Sequence, residues 1–350
     1  MTRSFNMDTK HNVFYHSAKN MNEVEDNSVA LVVTSPPYPM IEMWDDVFKN
    51  QFKEPLNEDD YEKLFKNMHA LLNEIWLQVD KKVIDGGIVC INIGDATKTL
   101  NNTFRLFTNH VKITNAFEKM GYLSLPCIIW RKQTNAPNKF MGSGMYPPGA
   151  YVTLEHEYIL IFRKGDKRRF SKEPAKLNRR TSSYFWEERN VWFSDIWDFK
   201  GIKQNMQIEK SRKRSGAYPF ELPYRLINMF SVKGDLVLDP FLGTGTTTLA
   251  AIASQRNSVG YEIDKNFEEI VANNILSSTN QLNSYIQKRL DNHSDFINRE
   301  INEKGVEKLY HNPQNEYVKT RQEKEIQINL IQNTILDNQN QYKTEYKTNQ

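Results

Sequence analysis

Apolar residues along this chain switch repeatedly between short unbroken runs and a period near 3.6, the patterns of buried strands and of amphipathic helices. Val29–Val33 is an unbroken apolar run and predicts a buried strand. Between Tyr61 and Lys82 the apolar residues fall at 64, 65, 68, 71, 72, 75, 76 and 79, one stripe down a helix. "GGIVCINIGD", Gly86–Asp95, reads as a turn and a second buried strand. A helix is expected over Phe104–Met120, closed by Gly121. "LPCIIW" and "EHEYILIFRKG" read as two strands, neighbours at one sheet edge, with a Gly- and Pro-rich loop, Lys132–Tyr151, between them.

Arg163–Arg214 has weak periodicity and reads as an irregular insertion. Order returns with "YPFELPYRLINMFS", an amphipathic helix. "DLVLDPFLGTGTTTLAAIA" follows as strand, glycine turn and helix, then "SVGYEID" as a strand and a helix from Asp264 to about Leu276. Beyond Thr279 the chain is rich in Asn, Gln, Lys and Glu, with apolar residues at 282, 285, 286, 290, 297 and 301 keeping a rough helical spacing. After Tyr310 a frayed or disordered tail is expected. The alternation of strands and helices is that of an α/β sheet, and 350 residues allow one large domain or two modest ones.

Composition adds three points. No apolar run approaches a membrane span and the N-terminus has no signal-peptide core, so a soluble cytoplasmic protein is expected. Cys90 and Cys127 sit inside apolar runs without metal-ligand spacing, as reduced core thiols would. Charge is the third. Arg163–Arg214 holds sixteen Lys/Arg against seven Asp/Glu, a local +9 that leaves −6 for the rest of a +3 chain. Phe170, Tyr184, Phe185, Trp186, Trp192, Phe193 and Trp197 are interleaved with that charge. The segment reads either as a phosphate-contacting surface or as a solvated lysine-rich loop.

Two stretches carry chemistry. Val29–Val33 runs straight into Thr34-Ser35-Pro36-Pro37-Tyr38. Two prolines remove two backbone donors and fix two φ angles, giving a stiff knuckle at the end of a strand. It is either a strand-ending turn or a rigid clamp for a flat ligand. The second stretch, "VLDPFLGTGTTTLA", is strand, Gly-x-Gly turn and helix. Gly243 and Gly245 permit a tight turn and close backbone approach to a ligand. Glu262, nineteen residues after Gly243 at the end of the next strand, stands where a carboxylate accepts from ribose hydroxyls. A dinucleotide site normally has a third glycine or alanine where this chain has Thr248. Asp239 in the turn would repel a pyrophosphate and suits an ammonium or sulfonium, which favours S-adenosylmethionine over NAD.

Together these stretches resemble the amino-methyltransferases of DNA, and the motif order is similar to that of their β class: "TSPPY", "GGIVCINIGD", "EHEYILIFRKG", the basic insertion, "AYPFELPYRLI", "DPFLGTGTT" and "VGYEID". The resemblance covers roughly Asn12 to Leu276. It implies a Rossmann-like α/β fold, a mostly parallel sheet with helices on both faces and an inserted target-recognition region. It divides the chain into a catalytic half (1–162), that insertion (163–214), a cofactor half (215–279) and a polar, partly helical extension (280–350). Ser35, Pro36, Pro37 and Tyr38 would be the catalytic loop, with Tyr38 stacked on a flipped base and Ser35 and the Pro36 carbonyl holding its amine. S-adenosylmethionine would lie against Asp239, Phe241, Gly243, Thr244, Gly245 and Glu262. Duplex DNA would meet Arg168, Arg169, Arg179, Arg180, Lys213 and Arg214.

Ser before Pro-Pro-Tyr usually accompanies cytosine-N4 targets in that family, and Asp or Asn accompanies adenine-N6. A cytosine-N4 enzyme is therefore implied, with an adenine-N6 enzyme of the same fold as the alternative. A catalytically silent DNA-binding module and a nicotinamide-dependent oxidoreductase are the rival classes. A modification role beside a cognate restriction endonuclease, without a stable complex, is implied. Homodimers occur in the β class. Two departures stand out: His16-Ser17 occupies the place of an acidic turn, and the helix motif lacks its His-Pro start. Pro126-Cys127 superficially resembles the nucleophile motif of cytosine-C5 enzymes, but it opens an apolar run, so Cys127 reads as a core residue.

Overall fold

The computed structural model describes residues 8–52, 60–100, 103–132, 142–200 and 218–347. In chain order the first strands are β1 (Thr9–Phe14) and β2 (Val29–Thr34), followed by helices α1 (Asp45–Lys49) and α2 (Tyr61–Lys82). Then come β3 (Val83–Ile93), the hairpin β4 (Ala96–Leu100) and β5 (Thr103–Phe107), α3 (Asn109–Lys119), β6 (Tyr122–Arg131) and β7 (His156–Lys164). α4 (Glu173–Thr181), α5 (Trp186–Trp192) and β8 (Ile196–Asp198) occupy the basic segment. α6 (Glu221–Phe230), β9 (Leu236–Asp239), α7 (Thr246–Ala253), β10 (Asn257–Tyr261), α8 (Glu268–Ser277) and α9 (Thr279–Lys304) follow. Two hairpins end the chain: β11 (Tyr310–Asn312) with β12 (Glu316–Val318), and β13 (Leu330–Asn338) with β14 (Gln341–Lys347).

Ten strands form one sheet in the order β13-β14-β1-β10-β9-β2-β3-β7-β6-β8. The five from β1 to β3 are mutually parallel, and β7 enters antiparallel to β3. Side chains of β2 alternate between two cores: Leu31 and Val33 pack with α6, α7 and α9, Val32 with α2 and α3. A strand covered on both faces needs apolar residues at every position, which is why Val29–Val33 is unbroken. The α2 stripe is buried as spaced, from Leu64 and Phe65 to Trp76 and Val79, except that Leu71 is half-buried and lines a cavity. Each such side chain contributes about 1.5–3 kcal/mol. Asp60 caps the helix by accepting from the Lys63 N–H.

β9 and β2 are neighbours in the sheet although far apart in the chain. β9 leads through α7 to β10 on one side, whereas β2 leads through α2 to β3 on the other. Neighbouring connections that depart in opposite directions leave a crevice at the carboxyl ends of β9 and β2, the usual ligand position in an open α/β sheet.

Three sequence expectations are corrected. The helix expected from Phe104 starts at Asn109; Thr103–Phe107 is a strand paired with β4, its Phe104 stacked on Tyr151. Arg163–Arg214 is not irregular where described, since it forms α4, α5 and β8, and β8 lies parallel to β6. The described part of the tail after Tyr310, to Lys347, is folded. Its last hairpin extends the main sheet beyond β1 and buries Ile331, Tyr342 and Tyr346. Polar composition masked the alternation of Tyr342, Thr344 and Tyr346, all three turned inward.

Candidate active site

β2 delivers the Pro-Pro-Tyr loop and β9 the glycine turn, and one carboxylate joins them. Asp239 Oδ1 accepts from Thr34 Oγ1 at 2.6 Å and from the Phe241 N–H at 3.0 Å. Its Oδ2 accepts from Thr247 Oγ1 at 2.5 Å and from the Tyr218 hydroxyl at 3.4 Å. Asp239 is 2% exposed. Burial raises its pKa, opposed by the hydrogen bonds from Thr247 and Thr34. Sequence reasoning assigned this acid to a cationic ligand. In the fold both its oxygens are turned inward to internal donors, and its place is that of a staple between the two motifs.

Gly243 (φ 55°) and Gly245 (φ 87°) hold the left-handed conformations that the turn requires, and Gly245 caps α7. The Gly243 N–H donates to Glu262 Oε2 at 2.9 Å and the Asp264 N–H to Oε1 at 2.8 Å. Glu262 is thereby fixed at the rim with lone pairs to spare. Its pKa is raised, by burial first, while those two N–H groups act to lower it. Phe241, Gly243 and Glu262 line a cavity of about 400 Å³ at the crevice, and Ser35 and Pro37 line its other wall. Thr244 is buried behind the turn, its carbonyl accepting from Asn274. Trp44, Phe48 and Asn266, which also line the cavity, were not anticipated from the sequence. They come from the segment before α2 and the turn after β10, where no motif stands.

The volume, a largely apolar lining with a carboxylate at the rim, and glycines at the turn fit a nucleoside cofactor of S-adenosylmethionine's size. Ser17 and Ala18, at the place of the missing acidic turn, are wall residues too. Among the described residues no cluster of His, Cys, Asp or Glu could hold a metal ion.

On the far side of Ser35 the loop is held firmly. Pro36 is buried, and Tyr38 packs its ring so close to Gly94 that a Cβ there would lie 3.1 Å from it. Asn109 donates to the Pro39 carbonyl at 3.1 Å and the Gly94 carbonyl at 2.9 Å, tying together the loops after β2 and β3. The Tyr38 hydroxyl donates to Glu157 Oε2 at 2.9 Å and lies 3.1 Å from Ser35 Oγ. Asn92 Nδ2 donates to both the Tyr38 oxygen (2.8 Å) and Glu157 Oε2 (2.7 Å). Neither Asn92 nor Glu157 was singled out from the sequence.

The basic segment spans the sheet: its first part stands away from the crevice, while β8 returns it to the carboxyl edge, where Asp198 pairs with Arg131. Arg168 forms a two-pronged pair with Asp235, the residue before β9, at 2.6 and 3.0 Å. Arg180 pairs with Glu325, and Arg179 lies over the Phe170 ring. Arg169 is exposed. Ile88 pairs with Arg163 and Ile93 with Tyr158, so this segment leaves β7 at the amino ends of the parallel strands, opposite Tyr38. The two edges are roughly 25 Å apart, the length of β3 between Gly86 and Gly94. Of the interleaved aromatics, Phe185, Trp192 and Trp197 are core residues, Phe185 stacked on His293, whereas Trp186 and Phe193 are exposed. Lys213 and Arg214 lie outside the described residues. Cys90 is buried; Cys127, at an irregularity of β6, is only partly so, a correction to its reading as core.

A carboxyl-edge crevice with a glycine turn on one bank and a Pro-Pro-Tyr loop on the other defines a Rossmann-like methyltransferase. The chain belongs to the N6/N4 methyltransferase family, whose model, described as DNA methylase, matches residues 29–274. It is similar to the type II methyltransferase M.MthZI of Methanothermobacter thermautotrophicus, 49% identical over 92% of this chain and 91% of that protein. M.MjaI of Methanocaldococcus jannaschii, also a type II methyltransferase, is 49% identical over 85% of this chain and 99% of its own length. Among solved structures, the Thermus thermophilus protein TTHA0409, complexed with S-adenosyl-L-methionine, matches with TM-score 0.58 and 28% identity, covering 75% of this chain and 91% of that one. The cytosine-N4-specific PvuII DNA methyltransferase shares the fold at TM-score 0.51 and 16% identity, over 81% and 93% of the two chains.

Proposed function

We propose that this DNA methylase transfers a methyl group from S-adenosylmethionine to the exocyclic N4 of a cytosine flipped out of duplex DNA, as the modification enzyme of a restriction–modification system. One observation carries the reading: Ser35 borders the same cavity as Glu262 and Phe241. A target amine held at Ser35 therefore stands at the mouth of the cofactor site. Bound there, S-adenosylmethionine supplies an electrophilic methyl group. Glu262 would accept from its ribose hydroxyls. Ser35 and the Pro36 carbonyl would accept from the amine hydrogens and favour a pyramidal nitrogen, freeing its lone pair. Prolines hold those acceptors in place before substrate arrives. The cytosine assignment rests on Ser35 standing where adenine-directed members of the family usually carry Asp or Asn.

The duplex would approach along the carboxyl edge, where Arg131 and Lys132 stand at the end of β6. That moves it away from Arg168, Arg169, Arg179 and Arg180, so neutralising those four should leave the salt slope of duplex binding unchanged. The functional test is incubation with S-adenosylmethionine and unmodified DNA, followed by nucleoside mass spectrometry. N4-methylcytosine is the expected product. N6-methyladenine would overturn the base assignment, and no methylated base on DNAs of varied sequence would overturn the activity.

A further inference from the structure

We propose that Glu157 is the terminal proton acceptor of the reaction, reached from the target amine through Ser35 and Tyr38. The proposal rests on the reading of Ser35–Tyr38 as the amine-facing loop and goes beyond it.

Hydrogen counting gives the direction of the chain. Tyr38 has one hydroxyl hydrogen, and it is donated to Glu157 Oε2 at 2.9 Å. Ser35 lies 3.1 Å from the same oxygen of Tyr38, so Ser35 must be the donor in that pair. Asn92 donates to the Tyr38 oxygen and to Glu157 Oε2, an arrangement that requires both atoms to accept. Lys132 Nζ, 3.1 Å from Oε1, faces the other end of the carboxylate. Every hydroxyl hydrogen thus points toward Glu157. Ser35 spends its hydrogen on Tyr38 and presents only lone pairs to the cavity it lines.

The reaction leaves one proton to place. As the bond from nitrogen to methyl forms, the bond from methyl to sulfur breaks and its electron pair stays on sulfur. The nitrogen then carries a positive charge until it loses one hydrogen. That proton passes to Ser35 Oγ while the hydrogen of Ser35 moves to Tyr38 and that of Tyr38 to Glu157 Oε2. Serine and tyrosine end neutral, and Glu157 ends protonated. Glu157 keeps 13% of its side chain exposed and returns the proton to water. Tyr38 is suited to the middle position. Burial, reinforced by the Glu157 charge, pushes its hydroxyl well above the usual phenol range, so it stays a neutral carrier. Among the described residues, the titratable or charged groups facing this chain are Lys132 on the carboxylate and Tyr218 near Tyr38.

Glu157→Gln preserves size and polarity but cannot take a proton. Single-turnover methylation should slow by about 100-fold or more. Cofactor affinity by calorimetry and duplex affinity by anisotropy should stay within about twofold of wild type, and the acid limb of the wild-type rate profile should vanish. Tyr38→Phe, which keeps the ring and cuts the chain in the middle, should match it. A Glu157→Gln or Tyr38→Phe enzyme with wild-type rate and pH profile would overturn the relay. Ser35→Ala separates the two levels: a fully active Ser35→Ala enzyme refutes the loop assignment itself, whereas an inactive one beside an active Glu157→Gln refutes only the relay.

Discussion

Replacing Thr34 by valine tests whether Asp239 really staples the two motifs. Thr34 ends β2 and is 1% exposed, so valine keeps the shape and removes only the hydroxyl. A hydrogen bond to an ionised acceptor contributes about 1.5–3 kcal/mol. Asp239 is not stranded by the change, because the Phe241 N–H remains on the same oxygen and Thr247 on the other. The loss should therefore sit toward the low end, about 2 kcal/mol. Thermal midpoints fall by about 2–4 °C per kcal/mol in domains of 150–250 residues and by less in a longer chain, so a drop of about 3–5 °C is expected. Urea unfolding of Thr34→Val, Asp239→Asn and the double variant should give a coupling energy of about 1–2 kcal/mol. Cofactor affinity should change little, since Glu262 and Phe241 are untouched, while turnover falls because Ser35 is no longer tied to the glycine turn. Additivity within about 0.3 kcal/mol, together with unchanged turnover, would refute the staple.

Three further outcomes are expected. Glu262→Gln should weaken S-adenosylmethionine binding by roughly 10- to 100-fold in calorimetry, the equivalent of one charge-assisted pair. Because burial holds the Glu262 carboxyl above its ordinary range, its contribution to stability is complete below that range and is lost as pH rises through the folded value. The urea midpoint of Glu262→Gln should accordingly gain on wild type as pH rises from the ordinary carboxylate range toward neutrality; a constant difference would refute the raised value. In thiol labelling of the native protein only Cys127 should react, as burial pushes the Cys90 thiol up and shields it, and Cys127→Ser should retain turnover. Deletion of residues 306–350 should yield aggregating protein, because Tyr346 donates to the Ile252 carbonyl and Ile331 and Tyr342 are core; a soluble, active truncation would show the last hairpin to be dispensable.

Periodicity by itself determined the class of fold and most of its elements, because a strand covered on both faces and a helix with one buried stripe admit few apolar patterns. The glycine turn, Glu262 and the Pro-Pro-Tyr loop were legible for a related reason: φ restriction and close approach demand particular residues at particular spacings. Charge and composition were poorer guides. Arg168 and the aromatics near it looked like a phosphate surface, yet a local count cannot say which end of a sheet a segment leaves from or that Asp235 awaits the guanidinium. The polar tail looked disordered because the surface that buries Tyr342 and Tyr346 belongs to β1 and α7, far away in the chain. Only the tertiary structure brought Glu157 and Asn92 to Tyr38 and turned Asp239 inward to Thr34. Those pairs are separated by 119, 54 and 205 residues. No local pattern encodes such contacts, since they arise where the parallel strands and β7 come together at one edge.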